Sequence, residues 1–459
     1  MMSRDCRTFL RQSIAAGAAM LSARAGRSAD RPNVLYILTD DLRPDGVGAL
    51  GNPQLRTPHL DELVGRGMAF TRAYTMGSNS GAVCTPSRTM ILSGRTVFHH
   101  PNGGFAKPPA GPEALFATTM ADAGYETFHL GKRGNSYLAG MQAFQTCLYT
   151  EQIGADNHET SSEKCADRVI SFLRDRQKTK PFFAYLAPPV PHDPRVAPKQ
   201  FMDMYDPATI RVPERFMPVH PFDNGEMAVR DEQLAPWPRT EAVVQRHLAD
   251  YYGCITCLDH HLGRIFAELR AQGQLDNTLI VFAGDNGLSL GDHGLMGKQN
   301  LYEYGGMHVP LVFAGPGVPA GRSDALAYLF DSYPTVCELT GVKVPALVEA
   351  SSLKPVISGA AKGVRNALFT GYRACQRAVR DDRWKVIRYP LVDRTQLFDL
   401  QTDPCELHDL AGQPQHAAKQ AEMMALLAAQ QKLYGDPVPL TVANPKPAAW
   451  TPPAPAKAG

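Results

Sequence analysis

The chain has 459 residues, of which 44% are hydrophobic and 20% charged, and its formal charge is only +2. This balance argues against nucleic-acid binding, and no internal apolar run approaches the roughly 20 residues that a membrane span needs. Nine cysteines are too few for a disulfide scaffold, and the composition argues against a disordered, collagenous or coiled-coil protein.

The first 25 residues have the pattern of an export signal. Three arginines precede a short run of small apolar residues at 13–21, and an A-x-A cleavage site follows at 23–25. We therefore predict a signal peptide over 1–25 and an exported protein, periplasmic or secreted; the alternative is a frayed N-terminal helix. Loss of this segment removes four arginines and one aspartate, which changes the formal charge from +2 to −1.

Apolar, β-rich runs alternate with helical patterns over most of the remaining chain. Buried strands are predicted at 33–38, 181–186, 279–283 and 309–313. Helices are predicted at 58–65, with Thr57 as N-cap, and at 113–123, 161–176 and 241–271. Continuous apolar strands separated by helices indicate a parallel sheet covered on both faces. The predicted fold class is therefore α/β, with a large, mostly parallel sheet sandwiched by helices.

The pattern changes after about residue 345. Short alternating runs at 368–372, 376–380 and 384–389 predict a small antiparallel sheet, and a helix is expected over 414–433. Residues 436–459 hold seven prolines and no periodic apolar pattern, so we predict an extended or disordered tail. The chain is thus divided into a main α/β domain at 26–345, a small α+β subdomain at 346–435 and the tail.

Polar side chains follow three of the predicted strands: Asp40 and Asp41, His192 and Asp193, and Asp285 and Asn286. Ligands bind outside the carboxyl ends of the strands in such sheets. Carboxylates that converge there repel one another unless a hard divalent cation lies among them, and oxygen ligands favour Ca²⁺ or Mg²⁺ over Zn²⁺. Taken singly, such residues are ordinary turn and N-cap residues.

The segment from Cys84 to Arg95 reads CTPSRTMILSGR. A lone cysteine at the start of a helix is unremarkable, but C-x-P-S-R followed by a G-R pair resembles the signature of the type I, formylglycine-dependent sulfatases of the alkaline phosphatase superfamily. Ser93 stands where threonine is usual. Further similar runs follow over about 31–410: RPNVLYILTDD, PFFAYLAPPVPHDP, AGDNG with GKQNLYEYGG, and LFDLQTDPCELHDLA.

The resemblance implies an alkaline phosphatase-like fold and a metal-assisted sulfate ester hydrolysis. Cys84 would be converted to formylglycine by a formylglycine-generating enzyme, and the hydrate of that aldehyde would be the nucleophile. The cation, Ca²⁺ in most of the family with Mg²⁺ as the alternative, would be held by residues at five positions. These are Asp40, Asp41, Cys84, Asp285 and Asn286.

The resemblance also implies roles for four cationic or titratable side chains. Arg88 would hold the formylglycine hydrate, because its fixed positive fork suits an anionic diolate. Lys132 and Lys298 would bind the sulfate oxygens, and His192 would face the substrate as a proton donor to the leaving oxygen. Together with a metal, these charges would stabilise the transition state electrostatically.

One position departs from the family pattern. The family usually has G-K-W-H where this chain has Gly131-Lys132-Arg133-Gly134-Asn135, so a histidine that assists the nucleophile is absent. Asn135, His129, His293 and residues elsewhere are candidates to take over its function, and slower turnover without it is a further alternative. His293 could instead stabilise its own loop.

Several cysteines allow two interpretations. Cys254 and Cys257 form a C-x-x-C pair, but their i, i+3 spacing in a predicted helix favours packing over metal or redox chemistry. Cys375 and Cys405 could form a disulfide in an oxidising compartment, which sequence alone does not decide.

The sequence thus predicts an exported sulfatase that acts on a sulfated small molecule or, more specifically, a sulfated saccharide. Two alternatives stay open. One is a phosphonate monoester hydrolase or phosphodiesterase, since C-x-P-S-R also occurs in those relatives; the other is a non-catalytic sulfated-glycan binding protein.

Overall fold

The computed structural model describes residues 31–100, 113–134 and 136–453. The predicted signal peptide, Asn135 and the last six residues of the tail lie outside this part of the chain. Within it, no helix combines the length and the apolar character needed to cross a membrane.

Strands and helices alternate through the first three quarters of the chain. The strands are β1 (Asn33–Thr39), β2 (Met68–Tyr74), β3 (Gly77–Ser78), β4 (Glu126–Gly131), β5 (Thr146–Tyr149), β6 (Phe182–Ala187), β7 (Thr278–Gly284), β8 (His308–Ala314), β9 (Gly321–Ser323), β10 (Ala327–Tyr328), β11 (Leu368–Tyr372), β12 (Gln376–Arg380), β13 (Trp384–Tyr389) and β14 (Arg394–Asp399). The α-helices are α1 (Pro58–Arg66), α2 (Cys84–Ser93), α3 (Phe116–Asp122), α4 (Leu138–Gln142), α5 (His158–Asp175), α6 (Lys199–Met202), α7 (Glu241–Ala271), α8 (Ser332–Leu339), α9 (Lys354–Ile357) and α10 (Ala417–Tyr434).

Among the described residues, nine strands form one large sheet in the order β10-β2-β8-β7-β1-β6-β4-β5, with β9 beside β2. The strands β7, β1, β6, β4 and β5 are parallel to one another, whereas β8 is antiparallel to both β7 and β2. All residues of β1, β6 and β7 are buried, as their continuous apolar character predicts. The predicted α/β class, with a mostly parallel sheet, is confirmed.

Helices cover both faces of this sheet. Because side chains alternate along a strand, Tyr36 of β1 faces the core formed with α2, α3 and α8, and Ile37 faces the core formed with α1, α5 and α7. Tyr36 meets Phe116 of α3 edge-on, with ring centroids 6.3 Å apart. The sheet is thus a rigid middle layer whose carboxyl-terminal edge can position side chains.

A second sheet has the order β14-β13-β12-β11-β3. Its strands β11, β12 and β13 are antiparallel, as predicted, and β14 continues the antiparallel pairing; α10 packs on this sheet through Met423 and Leu427. Its fifth strand comes from far earlier in the chain, because Gly77 and Ser78 pair in parallel with Gly371 and Tyr372. Gly77 has φ +112° and a Cβ there would lie 1.9 Å from the carbonyl oxygen of Gly371, so this close pairing requires glycine.

Some predicted bounds were wrong. The helix expected at 113–123 begins only at Phe116, because Leu115 is extended and Glu113 accepts a 2.6 Å hydrogen bond from the hydroxyl of Tyr137. Strands β2, β4 and β14 were not predicted, since polar side chains interrupt their apolar pattern. The helix α7 has the predicted bounds.

The described part of the predicted tail, 436–453, contains no helix or strand. It nevertheless packs against the rest of the molecule. The carbonyl oxygen of Ala448 accepts a hydrogen bond from the amide of Asp223 (2.8 Å), and the rings of Trp450 and Trp237 meet at 5.6 Å. The domain boundaries near residues 345 and 435 remain predictions.

Candidate active site

Two parallel strands of the large sheet end side by side at the centre of the site. In the register of β1 and β7, Thr39 is the partner of Gly284, and the amide of Asp285 donates to the carbonyl oxygen of Thr39 (2.9 Å). The residues that follow, Asp40, Asp41, Asp285 and Asn286, are therefore neighbours, and all are buried.

The turn after β1 is tightened at Asp41, which has φ +64°. Its amide donates to Oδ1 of Asp285 (3.1 Å), and its carbonyl oxygen accepts from the hydroxyl of Tyr251 on α7 (2.7 Å). These contacts hold a left-handed conformation that aspartate tolerates better than most residues, and they aim its carboxylate into the site.

The first residue of α2 completes this cluster. One ligand atom from each of Asp40, Asp41, Cys84 and Asp285 lies within 4.8 Å of the others, and the Cys84 thiol donates to Oδ1 of Asp40 at 3.3 Å. We call Asp40, Asp41, Cys84, Asp285 and Asn286 the floor of the site.

Two observations indicate that the floor can bind a hard divalent cation. Burial, together with the charges of Asp40 and Asp41, raises the pKa of Asp285 to about 6, and a bound cation would relieve this repulsion. Among the described residues Oδ1 of Asn286 has no hydrogen-bond partner although it is buried, while its Nδ2 donates to Oδ1 of Asp41 (2.7 Å). An orphaned amide oxygen beside three carboxylates is the donor set that Ca²⁺ or Mg²⁺ takes.

Arg88 lies one helical turn after Cys84, so both side chains point to the same face of α2. Its Nε lies 2.9 Å from Oδ2 of Asp285, and its Nη2 lies 3.2 Å from Oδ2 of Asp40. Nη1 donates to the hydroxyl of Ser136 (3.2 Å). These three contacts hold the guanidinium in a fixed position near the thiol of Cys84.

Two lysines approach the floor from other elements. Nζ of Lys298 donates to Oδ1 of Asp41 (2.6 Å) and to the sulfur of Cys84 (3.2 Å), and Nζ of Lys132, just after β4, lies 3.4 Å from Oδ2 of Asp40. Burial alone would lower the pKa of Lys298, but Asp41 and the other carboxylates raise it well above its usual value. Lys298 therefore carries a positive charge beside the cysteine.

His192 lies above the floor. Its Nε2 is 3.8 Å from Oδ2 of Asp41, and its Nδ1 donates to the carbonyl oxygen of Asp193 (2.7 Å). A cleft of about 470 Å³ leads from solvent to the floor. Its walls are Gly81, Ala82, Val83, Cys84, His192, Val229, Arg230, Asp231, Lys298 and Gln299.

Two side chains near the outer part of the site, those of His158 and Arg230, were not predicted from the sequence. Nδ1 of His158, the first residue of α5, donates to the carbonyl oxygen of His192 (3.0 Å). Arg230 forms ion pairs with Asp193 and Asp231. We call His158, Asp193, Arg230 and Asp231 the rim; apart from the position of Asp193 beside His192, no sequence signal joins these residues to the site.

The three residues that could replace the missing histidine lie in different places. The ring of His293 stacks on Tyr302 (centroids 4.0 Å apart), and no contact with the floor is found within the described ranges, which fits its loop-stabilising interpretation. His129 lies inside the sheet, stacked on Tyr185 at 5.6 Å. Asn135 is outside the described residues.

The other cysteines do not form sites. All eight cysteines of the described chain are free, so Cys375 and Cys405 are unpaired. Cys254 and Cys257 pack against Ala197 and Phe201, as the helical spacing favours.

Comparison with known proteins gives a consistent result. A family model described as "Sulfatase" matches residues 32–342, and one described as "N-sulphoglucosamine sulphohydrolase, C-terminal" matches 291–433. An N-acetylglucosamine-6-O-sulfatase from Bacteroides thetaiotaomicron is 27% identical, with 88% of this chain and 87% of that protein covered.

Two solved structures are similar over nearly their whole length. One, described as a complex with its substrate D-glucosamine-2-N,6-O-disulfate, has a TM-score of 0.76 at 23% identity and covers 89% of this chain and 99% of that one. The other, a phosphonate monoester hydrolase from Silicibacter pomeroyi, has a TM-score of 0.73 at 25% identity, with coverages of 89% and 96%.

Proposed function

The chain belongs to the sulfatase family of the alkaline phosphatase superfamily and is a sulfuric ester hydrolase, and we propose that it removes sulfate from a saccharide. The observation that carries this proposal is the composition of the cleft above Cys84. Its walls present His192, Arg230, Asp231 and Gln299, and among the described residues no phenylalanine, tyrosine or tryptophan lines it. Such walls suit the hydroxyl groups of a sugar better than an aryl leaving group. The similarity to a sulfatase named for a 6-O-sulfated N-acetylglucosamine supports the same substrate class.

The nucleophile of the proposed reaction derives from Cys84. We infer that a formylglycine-generating enzyme converts this residue to formylglycine and that one hydroxyl of the aldehyde hydrate attacks the sulfur atom of the ester. In this proposal Arg88 and Lys298 stabilise the hydrate in its deprotonated form. The support is that Arg88 pairs with Asp285 of the floor and Lys298 contacts the sulfur of Cys84 at 3.2 Å.

Charge stabilisation comes from side chains already in place. As the S–O bond to the sugar breaks, negative charge moves to the leaving oxygen and stays spread over the sulfate oxygens. In this proposal Lys132 and Lys298 bind the sulfate oxygens and His192 donates a proton to the leaving oxygen, which is supported by their contacts with Asp40 and Asp41.

Turnover follows from the second hydroxyl of the hydrate. After the alcohol leaves, the sulfate is bound to the remaining oxygen as a sulfated hemiacetal. Loss of the second hydroxyl's proton re-forms the aldehyde and expels sulfate, and water then restores the hydrate. A serine at this position could not release sulfate in this way.

The floor residues Asp40, Asp41, Asp285 and Asn286, with the modified residue 84, would hold the divalent cation, which we propose is Ca²⁺. When bound, such an ion supplies positive charge to the sulfate oxygens. The pattern of residues 1–25 leads us to propose that the enzyme is exported.

Two measurements on the same preparation test the proposed function. The protein is co-expressed with and without a sulfatase-maturating enzyme, and the mass of the tryptic peptide that contains Cys84 is measured. Sulfate release from sulfated saccharides is then compared with hydrolysis of a phenylphosphonate ester. We expect formylglycine and sulfate release only in the co-expressed sample.

The alternatives give different results. Faster phosphonate than sulfate ester hydrolysis would favour the phosphonate monoester hydrolase that the structural similarity also allows. An unmodified thiol in both samples, with saccharide binding but no sulfate release, would favour a non-catalytic binding protein.

A further inference from the structure

Arg230 lies at the entrance of the cleft. It is part of the wall that includes His192, Lys298 and Gln299, yet 61% of its side-chain surface is exposed to solvent. The charged end of this residue is therefore within reach of a substrate whose sulfate sits on the floor.

Only part of the hydrogen-bonding capacity of Arg230 is used. Its Nη1 donates to Oδ1 of Asp193 (3.0 Å) and to Oδ1 of Asp231 (3.0 Å), and its Nη2 donates to Oδ2 of Asp193. A guanidinium has five N–H groups. No acceptor in the described ranges faces the remaining two, the Nε–H and the second Nη2–H.

These two N–H groups lie on one edge of the planar guanidinium and point in parallel. Asp193 occupies the end formed by Nη1 and Nη2, and Asp231 is bound on the opposite side, at the outer hydrogen of Nη1. The free edge therefore faces away from Asp231. Two parallel donors with a fixed positive charge match the two oxygens of a carboxylate or a sulfate group.

The free edge is also held in a defined orientation relative to the reacting groups. Asp193 follows His192 directly, and Oδ2 of Asp231 accepts a 2.8 Å hydrogen bond from the side chain of Gln299, which follows Lys298. The two carboxylates thus connect Arg230 to the segments that carry His192 and Lys298. Because the fork is preorganised, little conformational entropy is lost when it binds a ligand.

We propose that the free edge of Arg230 binds a second anionic group of the substrate, a carboxylate or a further sulfate on the saccharide. The enzyme then selects sulfated saccharides that carry two anionic groups over those that carry one. This inference rests on the proposed function, since it places the first sulfate on the floor.

The test measures binding rather than turnover. Titration calorimetry in a Ca²⁺-containing buffer of low ionic strength uses the Cys84→Ala protein as background, so that no ligand is hydrolysed. N-acetylglucosamine 6-O-sulfate, a monoanion, is compared with glucosamine 2-N,6-O-disulfate. A sulfated disaccharide with a uronate carboxylate is compared with its carboxyl-reduced form, which separates the two sources of the second anion.

In the Cys84→Ala background alone, the dianionic member of at least one pair should bind about 10-fold or more tightly, as expected for charge-assisted hydrogen bonds. Adding Arg230→Gln or Arg230→Lys should abolish this difference; lysine keeps the charge but loses the fork. Arg270→Gln is the matched control, because Arg270 is 58% exposed and also pairs with a carboxylate, that of Glu62. It should leave the difference unchanged.

The other outcomes contradict the proposal. Equal affinity for both members of each pair would overturn it, and so would an Arg230→Gln effect of the same size on monoanionic and dianionic ligands, which would reduce Arg230 to a support for Asp193 and Asp231. If no sulfated saccharide binds while phenylphosphonate does, the proposed function itself fails, and this inference fails with it.

Discussion

The floor and the rim of the cleft are built from different kinds of chain segment. The floor residues follow the buried strands β1 and β7 or begin α2, and each is at most 2% exposed. The rim residues come from the start of α5 and from the loops after β6 and before α7, and Arg230 is mostly exposed. The rigid sheet edge therefore fixes the reacting groups, whereas the loops around it select the molecule that carries the sulfate. Substitutions on the floor should lower the rate for every substrate, and those on the rim should have smaller, substrate-dependent effects.

The largest effect is expected at the nucleophile. Cys84→Ala should lower kcat by at least about 10³-fold, because no other group can form the covalent intermediate. Cys84→Ser should react once and retain the mass of one sulfo group, which intact mass spectrometry detects. Cys165→Ala, at a buried cysteine of α5, is the control and should keep kcat within about threefold. Activity retained by Cys84→Ala would show that the nucleophile is another residue. The floor would then not hold the reacting groups, contrary to the comparison with the rim.

The next largest effect is expected at Lys298, a loop residue that contacts two floor residues. Lys298→Ala removes the charge beside Asp41 and Cys84 and should lower kcat/KM by about 10²- to 10³-fold. Lys385→Ala is a matched control, since Lys385 is equally buried and pairs with Glu303 and Glu406. It should lower Tm by a similar amount while kcat stays within about 10-fold. Equal losses of kcat in both variants would show that Lys298 acts only through stability.

A rim substitution should have a smaller effect and a specific rescue. His158→Ala removes the donor to the carbonyl oxygen of His192 and should lower kcat by about 10-fold through misplacement of His192. His158→Asn places an amide N–H near the position of Nδ1 and should restore kcat to within about threefold. If asparagine behaves like alanine in steady-state kinetics, the hydrogen bond does not position His192.

The smallest effect on activity is expected at His293, which belongs to neither floor nor rim. His293→Gln should leave kcat at pH 7 within about threefold. Burial lowers the pKa of His293 to about 3, so the folded state keeps it neutral while the unfolded state binds a proton below about pH 6.5. Its contribution to stability is therefore full above pH 6.5 and declines as the pH falls toward 3.

The measurement for His293 is urea unfolding at pH 8 and pH 5. Between these values the wild type should lose about 2 kcal/mol of unfolding free energy that His293→Gln does not lose. A large fall in kcat instead would make His293 a participant in the reaction.

The floor of the site was easier to predict from the sequence than the rim. Asp40, Asp41 and Asp285 were predictable because they follow continuous apolar strands, and Cys84 and Arg88 because they lie in one short motif. Arg230 and His158 were not, because their positions depend on how long loops pack and no local pattern reports that packing. The strand β4 was missed for a related reason: Glu126, Thr127 and His129 interrupt its apolar run, although Thr127 and His129 are buried in the sheet.

The pairing of Gly77 with Gly371 affects the order in which the chain can fold during its synthesis on the ribosome. At roughly 5–20 residues per second, β11 leaves the ribosome about 15 to 60 s after β3. Until then the small sheet lacks its partner strand, and Cys84, seven residues beyond Gly77, belongs to a segment that cannot yet be packed. In the finished molecule Cys84 is only 2% exposed. Before β11 is made, the Cys84 segment is therefore available to a modifying enzyme as unpacked chain, which it is not in the finished molecule.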